Sequence, residues 1–266
     1  MKFFSELIQA ARSNPNAIVV PATWGQGRAA FGGVVAALAF EAMRAKVEAG
    51  RPVRSLAMTF VGPLEPEVPA SFEAELLREG KAVSQVFCRV VQKGQVVALV
   101  QGSFGGSRQS VVQMAAEPAP DMKPAADCFE LPFLPGVTPE FTRHLAMRWA
   151  IGGMPFSGSR ERDMGGWVRF RGEVEREPVT EAHLLALVDA WPPATVPHLP
   201  TPAPGSTLTW TIEFVQPLPK LDTHDWCKYR ARIEHASDGY GHAAAALWTP
   251  DGELVAMSRQ TVVVFG

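Results

Sequence analysis

The sequence predicts an α+β protein made of two tandem copies of one unit, each a buried helix wrapped by an antiparallel sheet. The first observation is a repeated strand signature: Phe60-Val61-Gly62-Pro63-Leu64 recurs as Phe214-Val215-Gln216-Pro217-Leu218. Each copy follows an alternating run, residues 55–59 and 209–213, and each is followed later by a Gly-led strand. Those strands open Gly94-Gln95-Val96-Val97-Ala98 and Gly252-Glu253-Leu254-Val255-Ala256. The separation of the copies far exceeds the ~20–50-residue unit of a solenoid. The second observation is the run 34–44, Val-Val-Ala-Ala-Leu-Ala-Phe-Glu-Ala-Met-Arg, which is apolar almost all round and so reads as a core helix.

The elements follow in order. A short helix is expected at 3–12 and an extended segment near 17–20. The Gly-rich turn 25–33 feeds the core helix, which Gly50 and Pro52 close. Four strands follow at 54–61, 70–79, 82–92 and 95–105, with Lys93-Gly94 as the last hairpin turn. Residues 1–114 form the first repeat. Prolines at 118, 120, 124, 132, 135 and 139 mark 115–140 as a linker lying across the surface. The second repeat, 141–266, opens with strands near 141–151 and 166–173. A helix at 181–190 follows, stopped by Pro192-Pro193. Strands at 206–215, 225–235, 240–248 and 254–264 complete it.

Hydrophobic content of 47% and charged content of 20% describe a folded globular chain with an ample core. A net charge of −2 gives no electrostatic case for nucleic acid or an anionic membrane as partner. The first residues, interrupted by Glu6 and Arg12, read as neither signal peptide nor membrane span. Cys88, Cys128 and Cys227 are odd in number and scattered, which points to buried thiols in a reducing, cytoplasmic setting.

Three polar residues interrupt apolar surroundings. Asp189 ends the run Leu184-Leu185-Ala186-Leu187-Val188 and flanks its buried face. A carboxylate driven toward a core must find hydrogen bonds or give up its charge. Capping the Pro-rich loop is the alternative role for it. Gln260 interrupts an apolar strand, and an amide can both donate to and accept from a water or a carbonyl. An outward position on an edge strand is its alternative. Thr207 is read as sharing a face with Thr209 and Thr211, opposite Leu208, Trp210, Ile212 and Phe214. Gly25-x-Gly27-x-x-Ala30 lacks the βαβ setting of a dinucleotide fingerprint and is rejected as one. Gly32-Gly33 at a helix start instead lets backbone amides approach a substrate. The six histidines show no metal-ligand spacing, and no Gly-x-Ser-x-Gly elbow is present. A metal-free and cofactor-free chemistry is what remains.

The residues Phe31-Gly32-Gly33, Leu187-Val188-Asp189, Ser206-Thr207-Leu208 and Val255-Ala256-Met257-Ser258-Arg259-Gln260 resemble motifs of the acyl-CoA thioesterases of the thioesterase II type. The resemblance spans most of the chain and implies a double hotdog fold. It also implies hydrolysis of acyl-CoA, in fatty acid metabolism, to CoA and a carboxylic acid. It assigns Asp189, Thr207 and Gln260 to the catalytic water, beside the Gly33 amide read above as facing the substrate. Phe31, Trp191 and Trp210 would then wall an acyl tunnel. It implies a small-molecule acyl-CoA partner and is compatible with a homodimer. Thr209 competes with Thr207 for its place. The alternatives are a non-catalytic acyl-CoA or fatty-acid binding module of the same fold and a hotdog enoyl-CoA hydratase.

Overall fold

A computed structural model describes residues 3–172 and 176–265. In chain order it contains α1 (Phe4–Ser13), β1 (Ile18–Val19), β2 (Gly25–Gln26), β3 (Ala29–Ala30) and α2 (Gly32–Arg44). Then come β4 (Val53–Phe60), β5 (Pro69–Glu79), β6 (Val83–Gln92) and β7 (Gln95–Gly105). The second half contains β8 (Phe129–Glu130), β9 (Leu145–Ile151), β10 (Asp163–Phe170) and α3 (Glu181–Asp189). It closes with β11 (Gly205–Phe214), β12 (Cys227–Ser237), β13 (Tyr240–Trp248) and β14 (Leu254–Val264). The strand expected at 166–173 runs three residues earlier, and residue 173 lies outside the described residues.

Twelve of these strands join one continuous antiparallel sheet, in the order β1-β5-β6-β7-β4-β11-β14-β13-β12-β10-β9-β8. The two halves meet at β4 and β11, where Thr59 pairs with Thr209 and Ser55 with Glu213. The alternating runs 55–59 and 209–213 therefore lie side by side on the seam, and the two signature copies leave it at opposite ends. α2 packs on β5, β6 and β7, α3 packs on β10, β13 and β14, and the two helices pack on each other. This is the double hotdog expected from the sequence.

Both central helices follow from local chemistry. In α2 every residue from Gly33 to Met43 is buried, in keeping with its unbroken apolar run. Arg44 in its last turn fastens the chain reversal that follows, its guanidinium donating to the carbonyls of Val47, Glu48 and Arg51. Glu41 is buried on this helix and is held by a bidentate pair with Arg12 of α1, at 2.8 and 2.9 Å. α1 docks through Phe4, Leu7, Ile8 and Ala11, the i, i+3, i+4, i+7 face of an amphipathic helix. α3 starts at Thr180, whose hydroxyl and backbone N–H both engage His183. It buries 182–188 and stops ahead of Pro192-Pro193, which cannot continue the ladder.

The segment 115–140, expected to be a linker, does more than cross the surface. It reaches over the outer face of the second half-sheet, where the indoles of Trp167 and Trp248 donate to the carbonyls of Lys123 and Glu117. Arg148 donates to the Ala125 carbonyl, and β8 within this segment extends the sheet by pairing with β9.

Candidate active site

Asp189 is the last residue of α3 and Gln260 lies near the middle of β14. The Gln260 side-chain amide donates to the Asp189 Oδ1 at 3.0 Å. The other carboxylate oxygen lies at the N-terminus of α2. A Cβ built on Gly32 would stand 2.8 Å from Asp189 Oδ2, and the Gly33 backbone N–H is directed at the same carboxylate. Only a residue without a side chain admits the carboxylate so close to the helix end. At Gly33 a Cβ would meet the Phe31 ring at 2.7 Å and the Ala186 Cα at 3.0 Å, so this glycine also lets α2 and α3 touch.

Opposing influences act on the Asp189 proton. Burial raises the pKa most strongly, the Gln260 and Gly33 hydrogen bonds lower it, and the result is pushed up to about 7. Protein packs densely round the carboxylate, yet the residue keeps a partial opening to solvent. A carboxyl balanced near neutrality beside such an opening can accept a proton from a water and return it.

The register puts the two threonines on different faces. Trp210 pairs directly with Gln260, and paired residues present their side chains on one face. A β-bulge between Thr207 and Thr209 leaves Leu208 unpaired. Thr207 thereby pairs with Val262, which is buried on the face of Gln260, whereas Thr209 is exposed and pairs with Thr261 on the outer face. The sequence-based expectation that Thr207, Thr209 and Thr211 share a face is corrected here. The extra residue in the ladder shifts the phase of everything before it.

The aromatic candidates are all buried. Phe31 caps α2 and stacks on Phe141 at 4.1 Å between centroids, while Trp210 adjoins Gln260. Trp191 stacks on Tyr229 at 5.3 Å and leans on Trp149 at 5.0 Å. The sequence reading gave Tyr229 and Phe60 no place in the site. The phenol of Tyr229 is pushed up by burial and by the nearby Asp189 charge, and the Phe60 ring would lie 3.0 Å from a Cβ on Gly32. Phe60 belongs to the repeated signature, which could have marked it; for Tyr229 the sequence held no signal beyond strand alternation.

At the matching positions of its sheet the first repeat has no polar side chain. By the repeated signature Trp210 corresponds to Leu56 and Gln260 to Gly102, and these two are also cross-strand partners. The space above Gly102 is filled by the Met43 methyl, Leu56 and Phe104. One copy keeps the polar pair and the other keeps the packing.

The pattern of an acyl-CoA thioesterase N-terminal domain matches residues 20–105, and that of an acyl-CoA thioesterase C-terminal domain matches residues 116–264. The chain belongs to the acyl-CoA thioesterase family. Its members are thioester hydrolases, and this acyl-CoA thioesterase is similar to "Acyl-CoA thioesterase 2" of Haemophilus influenzae. The two are 23% identical over 252 residues, covering 88% of this chain and 86% of the relative. Among solved structures it resembles a hot dog fold protein of unknown function from Alicyclobacillus acidocaldarius. That pair is 25% identical with a TM-score of 0.80, covering 94% of this chain and 92% of the other. An acyl-CoA thioesterase II from Mycobacterium marinum is 19% identical with a TM-score of 0.68, covering 94% and 92% of the two chains. No helix among the described residues is long and apolar enough to cross a membrane.

Proposed function

We propose that this acyl-CoA thioesterase works through a water held by Asp189, Gln260 and Thr207, with Asp189 as general base. The observation that carries the reading is the hydrogen-bonded Asp189–Gln260 pair at the N-terminus of α2, its carboxyl balanced near neutrality. Asp189 takes one proton as the water oxygen bonds to the thioester carbonyl carbon. The carbonyl oxygen gains negative charge, which the positive end of α2 favours. Collapse of the adduct breaks the carbon–sulfur bond, and the proton on Asp189 passes to the departing CoA sulfur. Acid and CoA thiol are the products. Three unpaired cysteines suit a reducing compartment, so we place the activity in the cytoplasm.

The test is a single turnover in heavy-oxygen water, with thiol release followed in wild type and Asp189→Asn. Water attack puts the label into the acid in the first turnover, and the variant releases thiol at least about a hundredfold more slowly. An unlabelled first-turnover acid would mean that the carboxylate itself attacks. Undiminished release from the variant would move the chemistry away from Asp189.

A further inference from the structure

Strand β6 alternates buried residues with partly or fully exposed ones, and its last residue, Gln92, falls on a buried position. A side-chain amide there must be hydrogen-bonded or cost free energy. Its partners are all backbone groups of one loop. The amide nitrogen donates to the carbonyls of Glu65 and Val68, both at 3.0 Å, and the amide oxygen accepts from the Glu65 N–H at 2.8 Å. Both N–H groups and the oxygen of one side chain are thus committed to residues 65–68.

Between those anchor points stands Glu67, with a φ of 63°, a left-handed conformation that a residue with a side chain keeps only where its surroundings impose it. The loop is tied at its other end too, where Val61 and Gly62 both donate to the Val97 carbonyl, at 2.9 and 3.0 Å. Held at both ends, it follows a fixed path along the segment that enters α2. The Glu67 N–H donates to the Val20 carbonyl at 2.8 Å, and its carboxylate accepts from the Ala22 N–H at 2.6 Å. The Leu64 carbonyl accepts from the Ala30 N–H at 2.7 Å, just ahead of Gly32. The Phe60 ring closes on Gly32 itself, 3.0 Å from where a Cβ would stand. The next backbone N–H, that of Gly33, is directed at the Asp189 carboxylate.

The second repeat does not copy this device. Aligning Gly94–Ala98 with Gly252–Ala256 puts Pro250 at the place of Gln92, and proline has no side-chain amide to offer. There the signature reaches its helix through Gln216, whose amide donates to the Glu181 carboxylate at 2.9 Å. The Gln92 staple belongs to the repeat whose helix start faces the reactive carboxyl.

We infer that Gln92 is a positioning residue for the hydrolysis: by holding the 61–68 loop it fixes the start of α2, and with it the seat of the Asp189 carboxylate. The inference rests on the thioesterase reading of the Asp189 site and adds to it a residue that acts through the loop. The experiment compares wild type, Gln92→Met, Gln92→Asn and Val86→Ala by Tm and by the pH profile of kcat for thiol release from one acyl-CoA. Methionine matches glutamine in length and makes none of its hydrogen bonds, while asparagine keeps the amide but falls short of holding both carbonyls at once. Val86 is fully buried about 20 Å further along β6, so its truncation loosens the same sheet away from the start of α2. Gln92→Met is expected to lower kcat by at least about tenfold, the carboxylate having lost its alignment. It should also raise the midpoint of the profile by about half a pH unit or more, because the Gly33 N–H that favours the charged carboxylate is displaced. Gln92→Asn should move both in the same direction by less, and Val86→Ala should lower Tm with the midpoint in place. A midpoint unmoved in both Gln92 variants overturns the inference, as does an equal shift in Val86→Ala, which marks general loosening. A wild-type midpoint near 7 that neither Gln92 variant moves leaves the hydrolytic site standing and sinks only the positioning role. A wild type with no midpoint between pH 5 and 9 overturns both.

Discussion

Gln260 holds the Asp189 carboxylate at 3.0 Å across 71 residues of sequence, from the strand that also carries Ser258 and Val262 on its inner face. The bond fixes one oxygen and leaves the other against the amino end of α2. Asp189 itself ends α3, where the negative end of the helix dipole disfavours a charge. The carboxyl thus sits between one helix end that opposes ionisation and another that favours it, with burial tipping the balance upward.

The pH dependence follows from that balance. The base is active only when ionised, so kcat/KM should rise with pH and level off, with a midpoint near the Asp189 value of about 7. Gln260→Ala removes a hydrogen bond that favours the charged form, so the midpoint should move to higher pH. Initial rates of thiol release between pH 5 and 9 measure both. A flat profile through this range would show that another group governs the rate.

Replacing Asp189 by asparagine should separate stability from activity. An unfolded Asp ionises near 3.8, whereas the folded one keeps its proton to about 7. Between those values the folded protein binds more protons, so its stability falls as pH rises and the loss is complete above about 7. A tenfold change in proton affinity corresponds to ~1.4 kcal/mol, which allows a few kcal/mol at most. The asparagine variant escapes that cost, although its side-chain amide also meets the α2 amides less well than a carboxylate does. It should therefore have a higher Tm than wild type at pH 8 and little advantage at pH 4. Equal Tm differences at both pH values would refute the buried, proton-holding carboxyl.

Much of this architecture was legible because it is written in local periodicity. The alternation of residues 55–60 and 209–214 and the unbroken apolar run of α2 each specify one element, and the repeated signature specifies that the unit occurs twice. α2 nevertheless begins at Gly32, earlier than expected, because glycines read as a turn where tertiary contact demanded them inside a helix. The bulge at Leu208 was hidden, since an extra residue in one strand shows only against its partner. The Asp189–Gln260 contact joins elements distant in sequence, so family motifs pointed to it and spacing did not. The linker's hold on Trp167 and Trp248 had no sequence signal at all, because carbonyl acceptors are common to every residue.

The bulge makes a sharp prediction about two neighbouring threonines. Thr207→Val should lower kcat by roughly 10- to 100-fold, because it strips a hydroxyl from the face of Gln260. Thr209→Val alters an exposed outer position and should leave kcat within about twofold of wild type. KM should change little in either, since the missing bond belongs to the transition state. Reversed effects would place Thr209 at the water and reject the face assignment drawn from the register.

Gly32→Ala tests whether the closeness of α2 to the carboxylate matters to catalysis. The added methyl would stand 2.8 Å from Asp189 Oδ2 and 3.0 Å from the Phe60 ring, too near for either to stay in place. The backbone itself raises no objection, because Ala is the better helix former by up to about 1 kcal/mol. Stability should therefore change by less than about 1–2 kcal/mol while kcat falls by at least about tenfold, the carboxylate having been pushed off its alignment. Gly62→Ala is the matched control, since nothing lies within 4 Å of a Cβ there. Thermal melts and thiol-release rates on the two variants decide the matter. Full activity in Gly32→Ala with an unchanged pH midpoint would mean that the second carboxylate oxygen needs no fixed seat, and that Gln260 alone positions the base.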